Sequence, residues 1–182
     1  MNQIRIHGRG GQGAVTTGQI LAMAAFHDGK ESQTFPMFGV ERAGAPVQSF
    51  VRIDEKKIDA RCQVYDPDIV LVLESSLLDI VDVTAGLKEG GWIVVNSNKK
   101  PEELSIKGNY KIHCVDATTI ALDIFKRPIV NTPILGAFAA ITKVVSLSGL
   151  KKAINDRFLA SKGEHMADLN KQAVEKVYNI SK

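Results

Sequence analysis

Four glycines fall within six residues at Gly8-Arg9-Gly10-Gly11-Gln12-Gly13, between a strand-like segment (Ile4, Arg5, Ile6) and a helix-like one. Without Cβ atoms the backbone can bend sharply, take positive φ values and lie against a ligand or partner. The following helix would aim its free N–H groups and positive dipole end at the same spot, which suits an anion. Arg9 and Gln12 place a cation and an amide donor at that mouth, so the turn could hold a phosphate, a carboxylate or a partner's carbonyl. The alternative is that both side chains satisfy nearby loop carbonyls. The spacing also satisfies G-x-G-x-x-G, the dinucleotide fingerprint. That reading requires an acidic residue at the end of the second strand, roughly 20 residues past the glycines. Asp28 and Glu31 lie near that distance but precede the apolar part of the strand, so the fingerprint lacks its ribose partner. A tight turn packing helix against strand explains the same glycines.

A second constellation is Phe38-Gly39-Val40-Glu41-Arg42-Ala43-Gly44-Ala45-Pro46. Adjacent opposite charges in a glycine-flanked loop can be a solvated ion pair. A long loop of interleaved aromatic, charged and glycine residues is also what a site or a subunit contact uses. No catalytic set accompanies these loops: His7, His27, His113 and His165 lack metal-ligand spacing, and no Ser or Cys stands in a nucleophile motif. Cys62 and Cys114 read as core fillers, and two thiols cannot supply the four thiolates of an iron–sulfur cluster. By itself the chain reads as catalytically incomplete.

Elements that would position these loops follow from periodicity. Ala14, Gly18, Leu21 and Ala25 give residues 11–28 an amphipathic helix with a small-residue face. Strands are expected at 31–35 and 47–53, with 58–64 returning antiparallel after Asp54-Glu55-Lys56-Lys57. Ile69-Val70-Leu71-Val72-Leu73 is apolar on both faces, the pattern of a central parallel strand covered by helices on both sides. Further strands are expected at 92–95 and 110–115, and helices at 76–88, 117–125, 133–147, 150–160 and 164–179. Thr132-Pro133 reads as an N-cap followed by proline at the first helical position. The alternation predicts an α/β fold: a mainly parallel sheet flanked by helices, three-layer, with a short antiparallel hairpin. Sites in such folds lie at the carboxyl ends of the strands.

The 182 residues, 45% apolar and 24% charged, fit a single globular domain spanning 1–182. A net charge of +3 is too small and dispersed to argue for nucleic acid. The apolar stretch Ile134–Leu150 is broken by Lys143, Ser146 and Ser148, short of the ~20 apolar residues of a membrane span. With no signal-peptide plan at the N-terminus, a cytoplasmic protein with reduced thiols is expected.

Taken together, Gly8–Gly13, Thr34-Phe35-Pro36 and Phe38–Pro46 resemble the gamma subunit of the 2-oxoacid:ferredoxin oxidoreductases. The similarity continues through Gln63-Val64-Tyr65-Asp66-Pro67-Asp68 and Asn131-Thr132-Pro133-Ile134-Leu135-Gly136, in collinear order. Enzymes of this family oxidatively decarboxylate a 2-oxoacid with coenzyme A, giving an acyl-CoA, carbon dioxide and reduced ferredoxin or flavodoxin. The resemblance implies an α/β domain packed against alpha, beta and delta (ferredoxin-like) subunits near the active site and the coenzyme A entrance. Thiamine diphosphate, Mg2+ and the 4Fe–4S clusters would lie on those partners, with no catalytic or metal-binding residue here. It further implies that Gly8, Arg9, Gly10, Gly11, Gln12 and Gly13 contact coenzyme A or a partner. Phe38, Gly39, Glu41, Arg42 and Gly44 would contact the partner subunits. The wording resembles the pyruvate and branched-chain 2-oxoisovalerate enzymes more than the 2-oxoglutarate enzymes, although family members commonly carry arginine where Ala43 stands. Two other readings stay open: a free-standing nucleotide-binding protein, and a purely structural subunit whose glycine loop touches only protein.

Overall fold

Alternation along the first strand, β1 (Asn2–Arg9), sends Ile4 and Ile6 into one core and buries Arg5 and His7 on the opposite face. The computed structural model describes residues 1–37, 42–60 and 62–182. After β1 come α1 (Ala14–His27), β2 (Glu31–Pro36), β3 (Pro46–Asp54), β4 (Ile69–Val72), β5 (Trp92–Asn96) and β6 (Lys111–Val115). Four helices finish the chain: α2 (Ala117–Phe125), α3 (Ile134–Thr142), α4 (Leu147–Lys162) and α5 (Glu164–Ile180). The six strands form one sheet in the order β2-β3-β1-β4-β5-β6. β1, β4, β5 and β6 run parallel, while β3 is antiparallel to both β1 and β2. This is the α/β class with a mainly parallel sheet that the sequence implies.

All five helices contribute to one apolar cluster on the Ile4–Ile6 face of the sheet. Gly18 lets α1 settle closely: a Cβ there would stand 2.7 Å from Thr34 Oγ1 and 2.9 Å from Ser49 Oγ. On the opposite face Val70, Val72, Ile93 and Val95 are covered by Leu77, Val83 and Leu87, with Leu104 and Ile106 beside them. These covering residues belong to turns and loops, including 3-10 turns at Ser75–Asp79 and Pro101–Glu103, rather than to the helices expected on both sides.

Several local expectations are corrected. Residues 76–88 form no α-helix, because the Asp82 carboxylate captures Thr84 N at 2.9 Å and Gly86 takes φ 71°; a side chain that bonds neighbouring backbone competes with helix. Residues 58–60 and 62–64 form no strand. The carbonyls of Cys62 and Gln63, which a ladder would need, accept instead from Arg52. The antiparallel partners of β3 are therefore β1 and β2. Thr132 does not cap α3: its Oγ1 is buried without a partner among the described residues, and a backbone turn leads into the helix. The run expected at 133–147 stops at Lys143, which turns left-handed at φ 55°. Ser146 then caps α4 by accepting from Gly149 N at 2.8 Å.

Candidate functional site

β1 carries its chain to Arg9 at the carboxyl end of the parallel strands, and the glycine turn delivers it into α1. Gly11 and Gly13 hold φ values of 91° and 84°, left-handed conformations that glycine adopts without steric cost. Gly10 is set by close approach: a Cβ there would lie 2.3 Å from the Arg42 carbonyl oxygen. The two glycine loops are bonded directly, Gly10 N donating to Ala45 O at 2.8 Å and Gly44 N to Gly10 O at 3.1 Å. The expected site residues Gly8, Arg9, Gly10, Gly11, Gln12 and Gly13 thus meet Arg42 and Gly44 at one place. Phe38, Gly39 and Glu41 lie outside the described residues.

Arg9 and Gln12 both turn onto a residue the sequence reading did not select. Arg9 Nε donates to Glu74 Oε1 at 3.0 Å, its Nη2 to Ser76 Oγ at 2.8 Å and its Nη1 to Gly44 O at 3.1 Å. Gln12 Nε2 donates to Glu74 Oε2, and Arg9 N donates back to Gln12 Oε1 at 2.7 Å. Ser76, and then Arg9 and Gln12, hold the Glu74 carboxyl below the ordinary carboxylate range by hydrogen bonding to its charged form. The charge of Arg9 is therefore compensated within the chain. Glu74 follows Leu73 at the carboxyl end of the β4 run. Its position two residues past β4, a doubly buried strand beside β1, is the signal that could have singled it out.

Asn131, from the late motif, completes the floor. Its Nδ2 stands 2.8 Å from where a Gly13 Cβ would be, and its carbonyl accepts from Thr17 Oγ1 at 3.1 Å. Asn131 Oδ1 is buried with no partner among the described residues. By contrast, the motif at Gln63–Asp68 lies at the far end of the sheet, where Gln3 N donates to Asp68 Oδ2 at 2.7 Å. It ties down the start of β1 rather than joining the turn.

Beside the turn opens a pocket of about 450 Å³, with Arg9, Gly10, Ala14, Val15, Arg42 and Gln48 in its wall. α1 has no side-chain cap, so its first N–H groups are left for other partners. Arg42 is exposed and makes no ion pair among the described residues. Among the described residues the pocket thus offers backbone donors and, outside the Arg9–Glu74 pair, one cation to an anion, and no acid–base pair.

The dinucleotide geometry is broken. In that motif the strand after the helix lies beside β1 and offers a carboxylate to the ribose. Here β3 intervenes between β1 and β2. Asp28 accepts from Ser146 N at 2.6 Å and Ser146 Oγ at 2.5 Å, and Glu31 pairs with Asp54 at the far end of β2. Among the described residues no three His, Cys, Asp or Glu side chains converge to hold a metal ion. Cys62 is exposed and Cys114 half-buried, on separate segments.

Residues 3–180 match the pyruvate ferredoxin/flavodoxin oxidoreductase family. A pyruvate synthase subunit PorC from Methanocaldococcus jannaschii is 54% identical over 98% of this chain and 96% of its own. The pyruvate/ketoisovalerate oxidoreductases common subunit gamma of Thermococcus litoralis is also 54% identical, over 99% of this chain and all of its own length (100%). The crystal structure of a pyruvate oxidoreductase subunit from Thermotoga maritima superposes with a TM-score of 0.83 at 40% identity, covering 98% of this chain and 95% of that one. The glycine turn that imitates a dinucleotide site is therefore part of a different scaffold, and the chain belongs to the pyruvate ferredoxin/flavodoxin oxidoreductase family.

Proposed function

We propose that this chain is the gamma subunit of a thiamine-diphosphate-dependent 2-oxoacid:ferredoxin oxidoreductase of the pyruvate synthase type. It would work in the cytoplasm beside alpha, beta and ferredoxin-like delta subunits, with ferredoxin or flavodoxin as electron acceptor. Support comes from the shared length and identity with gamma-type relatives, whose names include pyruvate and ketoisovalerate. The chain's own chemistry agrees: two cysteines cannot ligate a 4Fe–4S cluster, so clusters and thiamine diphosphate with its Mg2+ would reside on partners. No helix of the described residues is long and apolar enough to cross a membrane.

The observation that carries the site reading is the pocket between the two bonded glycine loops. Its α1 N-terminus and Arg42 would receive the phosphates of coenzyme A, while Gly10, Gly44 and the loop they hold would press against the partner subunits. Arg9, Gln12 and Glu74 would shape this surface by fixing the turn. When bound, coenzyme A supplies the thiol that accepts the acyl group. This chain's part is to orient that co-substrate. In the assembled enzyme, Arg42→Ala should raise the Michaelis constant for coenzyme A about tenfold with kcat for the 2-oxoacid little changed. That corresponds to one charge-assisted contact of about 1.4 kcal/mol.

The internal neutralisation of Arg9 favours one second reading, a purely structural subunit. An unchanged Michaelis constant in the Arg42→Ala complex, together with normal assembly, would select it. Turnover of pyruvate, 2-oxoisovalerate and 2-oxoglutarate by the same complex assigns the substrate.

A further inference from the structure

Arg52 sits within β3 on the sheet face opposite α1 and is 1% exposed. Its Nε donates to Gln3 Oε1 at 3.3 Å, and its Nη2 to the carbonyls of Cys62 at 2.6 Å and Gln63 at 3.0 Å. Nη1 is equally buried and has no partner among the described residues. Beneath the guanidinium lies the Phe35 ring, 5.2 Å from Cζ to the centroid. Every oxygen acceptor it has is neutral. Nearby acids are engaged elsewhere: Asp54 with the N-terminal amine at 3.1 Å, Asp59 with Lys57 at 3.2 Å and Asp68 with Lys88 at 2.5 Å. Arg9 shows the contrast, with Glu74 at 3.0 Å. A buried cation without a counter-charge is costly, and folded proteins almost always pair one.

At this spot a cavity of about 330 Å³ is lined by Gln33, Thr34, Phe35, Arg52 and Ala60. We infer that it is an oxyanion site, in which a small carboxylate accepts a charge-assisted hydrogen bond from Arg52 Nη1 against the Phe35 ring. A planar monoanion matches both the single cation and the partly apolar wall. Nη1 is screened from water, so the carboxylate enters as the irregular run Lys57–Ala60 gives way. Two sources share this chemistry: a free small carboxylic acid, or an Asp or Glu side chain of a partner subunit. Arg52 lies opposite Gln3, about 20 Å along β1 from the glycine turn, so the inference is independent of the coenzyme A reading.

The test is nitrogen-edited NMR of the full chain, titrated with sodium acetate against a chloride-matched reference. The signals followed are Arg52 Nε–H and the amides of Gln33, Phe35 and Ala60. Saturable displacement by acetate and not by chloride supports the site and names a free acid as its source. Binding should weaken at least tenfold in Arg52→Lys, which keeps the charge but lacks the guanidinium fork. It should weaken likewise in Ala60→Leu, which fills the rim and leaves Arg52 in place. If the free chain does not saturate, a partner carboxylate within hydrogen-bond distance of Nη1 in the structure of the assembled complex supports the second source. Absence of both, or an equal response to chloride, overturns the inference.

Discussion

Gly10 and Gly11 are neighbours, yet alanine at each would probe a different force. At Gly10 the new Cβ would collide with the Arg42 carbonyl at 2.3 Å, forcing the two loops apart and breaking the pair of backbone bonds between them. At Gly11 nothing lies within 4 Å, and the cost is the φ of 91° alone. Gly10→Ala should therefore lose about 3 kcal/mol by denaturant titration, and Gly11→Ala about 1 kcal/mol. Equal losses would mean the loops are not docked on each other. His7 gives a pH prediction. Burial first, and then the neighbouring Arg5 charge, push its imidazole down to about 3. Its Nε2 accepts from Arg5 Nε at 3.0 Å, which requires the neutral ring. The unfolded chain binds a proton near the ordinary histidine value while the folded chain does not. Its stabilising contribution is thus complete above that value and is lost as pH falls toward 3. Thermal melts from pH 7 to 4 should show a drop approaching about 1.4 kcal/mol per unit from this residue, absent in His7→Gln. A ring resonance titrating near pH 6.5 in the folded protein would contradict this.

At the level of elements, the chain pays a conformational cost where α3 ends. Lys143 occupies the left-handed region at φ 55° with its side chain exposed, a position that glycine fills without strain. Lys143→Gly should raise stability by about 0.5–1 kcal/mol, the strain relieved exceeding the entropy that glycine adds to the unfolded chain. A lower melting temperature would show that the Lys143 aliphatic stem packs usefully on α3. The same junction shows how far the sequence can be read. Periodicity located β1, α1, β3, β4, β5, α2 and α5, because each carries its own apolar repeat. The break at Lys143 escaped, because it depends on Asp28, more than a hundred residues earlier, holding Ser146 in place. The expected hairpin at 58–64 failed for a related reason, since Arg52 takes the carbonyls a strand would use. Glycine spacing marked the turn at Gly8–Gly13 from local chemistry. Glu74 stayed hidden as one carboxylate 65 positions from Arg9: the buried run before it marks a strand end, but not the side chain it meets there.

Across the whole molecule, three distant segments converge on the glycine turn: the Arg42–Ala45 loop, Glu74 after β4, and Asn131 before α3. The candidate site therefore exists only when both halves of the sheet are joined. The two sides of that sheet are clad differently, with five α-helices over one face and 3-10 turns and loops over β4 and β5 on the other. Helical cladding is cooperative, whereas loops with few shared backbone bonds can detach piecemeal. Amide hydrogen exchange at low denaturant should accordingly find two opening units. β6 and the segments at 75–91 and 101–110 would exchange at a lower free energy than β1, α1 and α5. A single uniform exchange energy would refute this division. The turn meets the labile unit only at Ser76, and its bonds to Glu74 and to the Arg42–Ala45 loop would stay closed while the β6 edge breathes, so a partner gripping that edge would tighten or loosen the sheet before it disturbed the pocket.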